Sequence, residues 1–346
     1  MVRNNNSGIK EIARLSGVSI GTVDRVLHKR GRVSAETKKK VEEIATQIDY
    51  KPNIMAKYLA TNKNHRIALL IPEPSQDEYW QQAYEGIEST LSKSEQQGVH
   101  VESYFYSLGD KKTFEKMANE ILKNKPEGVI LTPNFLDEGL IFYNQCMEAY
   151  IPIIMFDTTI PDTQPLSFIG TNSFQSGMVA AELLTMTTHH SGKFAILHFD
   201  EELVNSPHML DKEFGFINYI NKECPDREYL VVVLNNEKHY YNDQIQKLLD
   251  KNEISGIFVS TSKAYQIGSY LQEKNIRNIN LVGYDLTSKN IELLKSRYIS
   301  FLINQNPRRQ AEQSIQTFCD HIIFKKAVNS RILFPIDIVT STSIQE

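Results

Sequence analysis

The chain has 346 residues, 41% of them apolar and 23% charged, with a formal net charge of −4. At roughly 100–200 residues per domain, that length points to two or three folded domains with ample material for cores, which excludes the disordered and collagen-like classes. No apolar run approaches the ~20 residues of a bilayer span. The polar residues 1–10 lack the apolar core of a secretory signal, and three widely spaced cysteines (Cys146, Cys224 and Cys319) make no disulfide framework, so a reducing cytoplasm is expected.

The net charge hides an asymmetry. Residues 1–66 carry 14 Lys/Arg against 6 Asp/Glu, and residues 67–346 carry 24 against 36, so a head of +8 precedes a body of −12. Such a head suits a polyanion. Its elements read in chain order as short helices. Ile9, Ile12, Ala13 and Leu15 fit one helical face, and Gly17 breaks it. Ser19 is placed to cap a second helix, in which Val23, Val26 and Leu27 form the inward stripe. After Gly31, Ser34 caps a third, with Val41, Ile44, Ala45 and Ile48 on its apolar side. Two short helices joined by a tight Gly-containing turn are a helix-turn-helix signature. Pro52 and Asn53 open a helix-compatible segment to Ala60, shorter than the ~12–15 residues an isolated helix needs in water. The polar run 61–66 marks the domain boundary.

From residue 67 the pattern changes. Short apolar, β-branched runs at 67–71, 99–106, 128–131, 153–156, 194–197, 229–234, 256–259, 280–282 and 300–303 alternate with amphipathic windows at 79–96, 112–123, 173–188 and 244–249. The alternation implies parallel sheets covered by helices, and about ten such units exceed one compact sheet, so two α/β lobes are expected. No Gly-x-Gly-x-x-Gly or phosphate-binding loop is present. His189 and His190 are adjacent and cannot share a helical face as metal ligands. No cofactor, metal or catalytic activity is expected.

The ordered text Ile9-Lys10-Glu11-Ile12-Ala13, Gly17-Val18-Ser19, Thr22-Val23, Arg25-Val26-Leu27, Val33-Ser34, Thr37, Tyr50, Pro52-Asn53, Ala56 and Leu59 resembles the head of the lac-repressor (LacI/GalR) family of bacterial transcription regulators. The remaining chain is similar to that family's effector domain, which has the type I periplasmic-binding-protein fold. The resemblance implies a small all-α helix-turn-helix DNA-binding head at 1–51 and a hinge helix with linker at 52–66. A two-lobed effector-binding and dimerisation domain follows at 67–346, each lobe a doubly wound parallel sheet. The first lobe is expected at about 67–166 plus 303–329, and the second at about 167–302 plus 330–346.

In the second helix, Gly21, Arg25 and His28 lie opposite the apolar stripe, flanked by Ile20, Thr22 and Asp24. A recognition helix reaches base edges in the major groove with its N-terminal residues. Arg25 suits a bidentate contact to guanine, worth ~1–3 kcal/mol of discrimination. Ser19 and Thr22 suit phosphates. Asp24 stands where the family usually has Ser; it can accept from a cytosine amino group or steer Arg25. Gly21 offers no side chain at a position where the family varies residues to choose an operator. In the hinge segment the resemblance implies that Leu59 wedges into the minor groove with its dimer mate. Asn53 lies on the same segment, as does Lys57, where the family often has Arg.

Sugar sites need carboxylates, amides and cations for hydroxyls, and aromatic rings for the apolar sugar face, at the carboxyl ends of parallel strands. Tyr79 and Trp80 follow the first strand. Asp157 and Asn172 follow apolar runs. Asp285 ends Leu281-Val282-Gly283-Tyr284-Asp285, and Gln305 sits in Ile303-Asn304-Gln305-Asn306-Pro307; both texts resemble the family's. Lys212, three residues before Gly215-Phe216, stands where the family commonly has Arg, a point charge in place of a planar fork. The resulting expectation is a repressor that binds double-stranded operator DNA as a homodimer under control of a sugar or sugar derivative. The alternatives are a soluble sugar-binding protein without a regulatory role, against which the basic head counts, and an α/β enzyme, against which the missing nucleotide and metal motifs count.

Overall fold

The computed structural model describes residues 8–27, 31–48, 50, 64–199, 207–235 and 238–344. The chain divides into two compact units, Met1–Lys63 and Asn64–Glu346.

In the first unit, α1 (Gly8–Ser16), α2 (Ile20–Leu27) and α3 (Ala35–Gln47) enclose Ile12, Val23 and Val41, all fully buried, with Ala13 and Val26 beside them. These are the positions that helical periodicity puts on one stripe. Gly17, at φ 71°, turns the chain between α1 and α2 and donates its N–H to the Ala13 carbonyl at 3.0 Å. A side chain would be strained in that left-handed conformation. Ser34 caps α3, its Oγ accepting from the Thr37 N–H at 3.2 Å.

The second unit has two parallel-sheet lobes. The first sheet holds β1 (His65–Pro72), β2 (Val99–Tyr106), β3 (Gly128–Leu131), β4 (Ile153–Phe156), β5 (Ser167–Gly170) and β11 (Arg331–Leu333), in the order β11-β5-β4-β3-β1-β2. The second holds β6 (Lys193–Phe199), β7 (Tyr229–Leu234), β8 (Ile254–Val259), β9 (Asn280–Tyr284), β10 (Phe301–Asn304) and β12 (Asp337–Val339), in the order β12-β10-β9-β8-β6-β7. Every pairing is parallel except that of β10 with β12. Strands β3, β4 and β5 are buried along their whole length, which is why they read as unbroken apolar runs rather than alternating ones. The edge strands are not buried along their length; β7, for one, exposes Val231 and Val233.

The lobe boundaries differ from the sequence-based expectation. Residues 167–170 and 331–333 were expected in the second lobe, yet β5 pairs with β4 (Met155 opposite Phe168) and β11 pairs with β5, so both belong to the first sheet. The strand carrying Ile303 pairs with β9 and belongs to the second sheet. Apolar composition marks a strand but does not say which neighbour it bonds. The chain therefore crosses between lobes after β5, after β10 and between β11 and β12. These crossings set the carboxyl ends of β4, β5, β9 and β10 at the switch point, where ligands bind in such folds.

The covering helices are α4 (Glu78–Gln96), α5 (Lys111–Asn124) and α6 (Leu136–Glu148) in chain order, then α7 (Ser173–Thr187), α8 (Pro207–Glu223), α9 (Lys238–Lys251), α10 (Ala264–Glu273), α11 (Ser288–Lys295) and α12 (Pro307–Ile322). Two helix pairs approach closely through glycine. A Cβ on Gly86 of α4 would lie 2.3 Å from the Arg308 carbonyl oxygen of α12. One on Gly177 of α7 would lie 1.9 Å from the Lys212 carbonyl oxygen of α8, and one on Gly215 of α8 1.9 Å from that of Phe174. The α7–α8 contact fixes the height at which Lys212 enters the cleft.

Candidate functional site

On the head, the Ser19 Oγ accepts from the Thr22 N–H at 3.1 Å and lies 2.9 Å from the Thr22 hydroxyl, so Ser19 caps the start of α2. Val23 and Val26 turn inward. Ile20, Gly21 and Arg25 are exposed, and Thr22 and Asp24 are half-buried. Arg25 runs its aliphatic stem past Gly31, at 3.7 Å from a built Cβ there. Asp24 lies near Tyr50, whose hydroxyl pKa is raised by burial and then by that carboxylate. The described part of α2 thus presents a short outward face with one cation, Arg25, as its longest polar side chain. His28, Asn53, Lys57 and Leu59 lie outside the described residues.

In the body, the same device occurs at the end of a strand in each lobe. Asp157 follows β4 at φ 69°, and Asp285 follows β9 at φ 65°. Aspartate tolerates this left-handed conformation better than most residues. Each backbone N–H is tied to the next strand of its sheet: Asp157 to the Ile169 carbonyl and Asp285 to the Ile303 carbonyl, both at 2.9 Å. The turn aims each carboxylate away from its sheet and toward the crossover region.

The surroundings then differ. The Tyr79 hydroxyl donates to Asp157, whose N–H also donates to Gln310 Oε1 at 3.0 Å. Asp285 accepts from the Gln305 N–H at 3.2 Å and from its Nε2 at 2.9 Å. Gln310 Nε2 in turn donates to the Gln305 carbonyl at 2.7 Å, joining the two groups through α12. Lys212, 2% exposed, donates to the Ser260 carbonyl at 3.1 Å, and its ammonium stands 3.8 Å from the centroid of the Tyr284 ring. A cation over an aromatic face is attracted by the ring quadrupole.

Burial dominates the electrostatics. It pushes the Asp285 carboxyl up to about 7; Lys212 and the Gln305 donors oppose that rise, and Asp157 adds to it. Asp157 is raised by burial against the Tyr79 hydrogen bond and Lys212. His208, one helical turn before Lys212, is pushed down to about 3 by burial and by that ammonium, and its Nδ1 is buried without a hydrogen-bond partner among the described residues. Behind Lys212, buried His198 spans Ser260 Oγ and Glu213 Oε2, each at 2.8 Å. Low dielectric strengthens every one of these pairings and every lapse in them.

Five residues expected at the site are thus gathered by direct bonds or mutual electrostatics: Tyr79, Asp157, Lys212, Asp285 and Gln305. Trp80 is 4% exposed and packs edge-on to Tyr79 and Phe156, which makes it an anchor for α4 against β4. Asn172 caps α7, its Oδ1 accepting from the Gln175 N–H at 3.1 Å. Across the cleft, Glu78 accepts from the Ser288 N–H and Oγ at 2.7 and 2.8 Å, and Gln82 donates to the Leu286 carbonyl at 3.1 Å. The lobes therefore meet along α4. Sequence reading missed His198, His208, Ser260 and Gln310. Only His208 had a readable signal, its i,i+4 spacing to Lys212 on one helix.

Residues 67–326 match the periplasmic binding protein domain family, and residues 8–53 match the bacterial regulatory proteins of the lacI family. The chain belongs to the lacI family. It is a DNA-binding transcription regulator with a periplasmic-binding-protein body. The crystal structure of a protein assigned as a LacI transcriptional regulator from Bacteroides fragilis superposes with a TM-score of 0.76 at 30% identity, covering 81% of this chain and 98% of that one. The sucrose operon repressor of Lactococcus lactis subsp. lactis is 23% identical over 285 residues, 81% of this chain and 83% of the relative. A Bacillus subtilis protein assigned as the HTH-type transcriptional repressor ExuR is 27% identical over 185 residues, about half of each chain at 52%. Against the family pattern, Lys212 in place of Arg leaves the cleft with two carboxylates and no guanidinium fork.

Proposed function

We propose that this LacI-family regulator is a repressor that reads a pseudo-palindromic operator as a homodimer in the cytoplasm, and that a neutral sugar or related polyol between the lobes sets its grip. It performs no catalysis in this reading. The observation that carries the proposal is the pairing of Asp157 and Asp285 at matching strand ends, with Lys212 and Gln305 beside them, in a chain whose basic head leaves Arg25 outward on α2. Two carboxylates offer acceptors for hydroxyl donors, and Lys212 offers a donor for ring or hydroxyl oxygens. Arg25 supplies base readout. Ser19 and Thr22 supply phosphate contacts, with Ile20, Gly21 and Asp24 completing the face. By the family resemblance, Leu59 wedges into the minor groove, Lys57 makes a phosphate or groove contact, and Asn53 contacts the DNA beside them.

Two heads related by a two-fold axis read mirrored half-sites. The test is fluorescence anisotropy with duplexes selected from a random pool by the full chain. Selection should return an inverted repeat, and affinity for it should fall steeply with salt, because the head carries the +8 balance. Arg25→Ala should flatten the preference for the selected sequence. Salt-independent binding, or a selected site without internal symmetry, would overturn the reading. For the cleft, a thermal-shift screen of sugars should find a stabiliser whose effect disappears in Asp285→Ala.

A further inference from the structure

A second polar cleft lies on the first lobe, away from the carboxylate pair. It has a volume of about 350 Å³ and sits between the C-terminal half of α4, α12 and Phe334. That size falls at the small end of ligand sites, ~300–1,000 Å³. Lys93 and Arg309 are the cations of its lining, and Glu312 is the anion. Glu312 is already engaged, accepting from Ser89 Oγ at 3.2 Å. Among the described residues, neither Lys93 nor Arg309 makes a hydrogen bond or ion pair; Arg309 instead lies over the Phe334 ring, 5.3 Å from its centroid. Gln97 lines the same cleft at 8% exposure, and its side-chain amide has no hydrogen-bond partner among the described residues.

We propose that this cleft is a second, regulatory site for a small anionic metabolite bearing a phosphate or carboxylate and hydroxyl groups. Lys93 and Arg309 take the anion, the Gln97 amide donates to it, and Glu312 accepts from a hydroxyl. The site is wired to the first one through α12. Arg309 and Glu312 face the outer cleft, whereas Gln310, between them in sequence, holds the Asp157 N–H at 3.0 Å and the Gln305 carbonyl at 2.7 Å. A ligand that shifts or stiffens α12 moves both carboxylate turns, which is the differential contact allostery requires.

The experiment uses the full chain and three probes, inorganic phosphate, ribose 5-phosphate and gluconate, with ribose and sorbitol as neutral controls. Trp80, the only tryptophan, sits on α4 and serves as the fluorescent reporter. At millimolar concentration at least one anion should shift its emission saturably and raise Tm, while the neutral controls do not act through this cleft. Lys93→Gln with Arg309→Gln should weaken that binding by about tenfold or more, as loss of charge-assisted hydrogen bonds does. Asp285→Ala should leave it intact. Response to phosphate or ribose 5-phosphate assigns the phosphate chemistry, and response to gluconate alone assigns the carboxylate. If no anion acts, if the double variant binds as well as the parent, or if Asp285→Ala abolishes binding, the proposal is overturned; the last outcome places the anion in the inter-lobe cleft.

Discussion

The two lobes carry the same backbone device and arm it differently. In the first, the carboxylate turn at Asp157 is held by a phenol and by the Gln310 side chain. In the second, the turn at Asp285 is held by Gln305, with a buried ammonium nearby. The first carboxyl keeps a strong donor in the Tyr79 hydroxyl. The second shares its burial with Asp157 and rises to about 7. The lesson is that strand topology dictates where a carboxylate points, whereas its charge at neutral pH depends on which side chains the other elements bring to it.

The sharpest way to break this comparison is to remove the second carboxylate. Asp285→Ala should lower effector affinity about 100-fold, since bonds to a charged acceptor are worth ~1.5–3 kcal/mol each and the sugar donors are left unpaired. Operator binding without effector should persist. A variant that still responds at the parent's ligand concentration would move the site elsewhere.

Next in size is the packing that sets each lobe. Gly177→Ala drives a methyl into the Lys212 carbonyl, where 1.9 Å is available, and should cost ~1–3 kcal/mol with a lowered Tm. It should also weaken the cleft, because α8 must retreat with Lys212. Gly86→Ala in the first lobe meets the Arg308 carbonyl at 2.3 Å and should destabilise similarly while leaving Lys212 in place. Calorimetry together with effector titration separates the two effects.

The pH dependence comes third. Asp285 titrates at about 7 when folded and in the ordinary carboxyl range when unfolded. The native state therefore binds more protons between those limits, and this group's contribution to stability falls as pH rises from about 4 to 7. A polyol that donates hydroxyls to the carboxylate binds the ionised form, so its affinity should rise about tenfold from pH 6 to pH 8. Isothermal titration across that range checks it, and Asp285→Asn should flatten the profile.

The smallest expected effect is on the other side. Tyr79→Phe removes the donor to Asp157 and should change effector affinity by only ~0.5–1.5 kcal/mol, with the Asp157 carboxyl rising further. A loss as large as that of Asp285→Ala would show that the two lobes contribute alike.

The head and the body were not equally legible. The sequence by itself determined the three head helices, the Ser34 cap and the Gly17 turn, because each depends on residues within a few positions of one another. It also marked most of the strands, and placed Asp157 and Asp285 at strand ends, because a buried parallel strand is a local apolar run and the polar residue after it is visible. Only the tertiary structure decided that 167–170 joins the first sheet beside β4 and β11, since a strand's own residues mark it as apolar but do not name the neighbours it bonds. The same holds for Gln310, whose partner Asp157 lies 153 residues away, for the close passage of Gly177 over Lys212, and for the Asp285 pKa. Each depends on groups that share no local pattern and meet only when two lobes are folded and packed, where burial sets the strength of every charge.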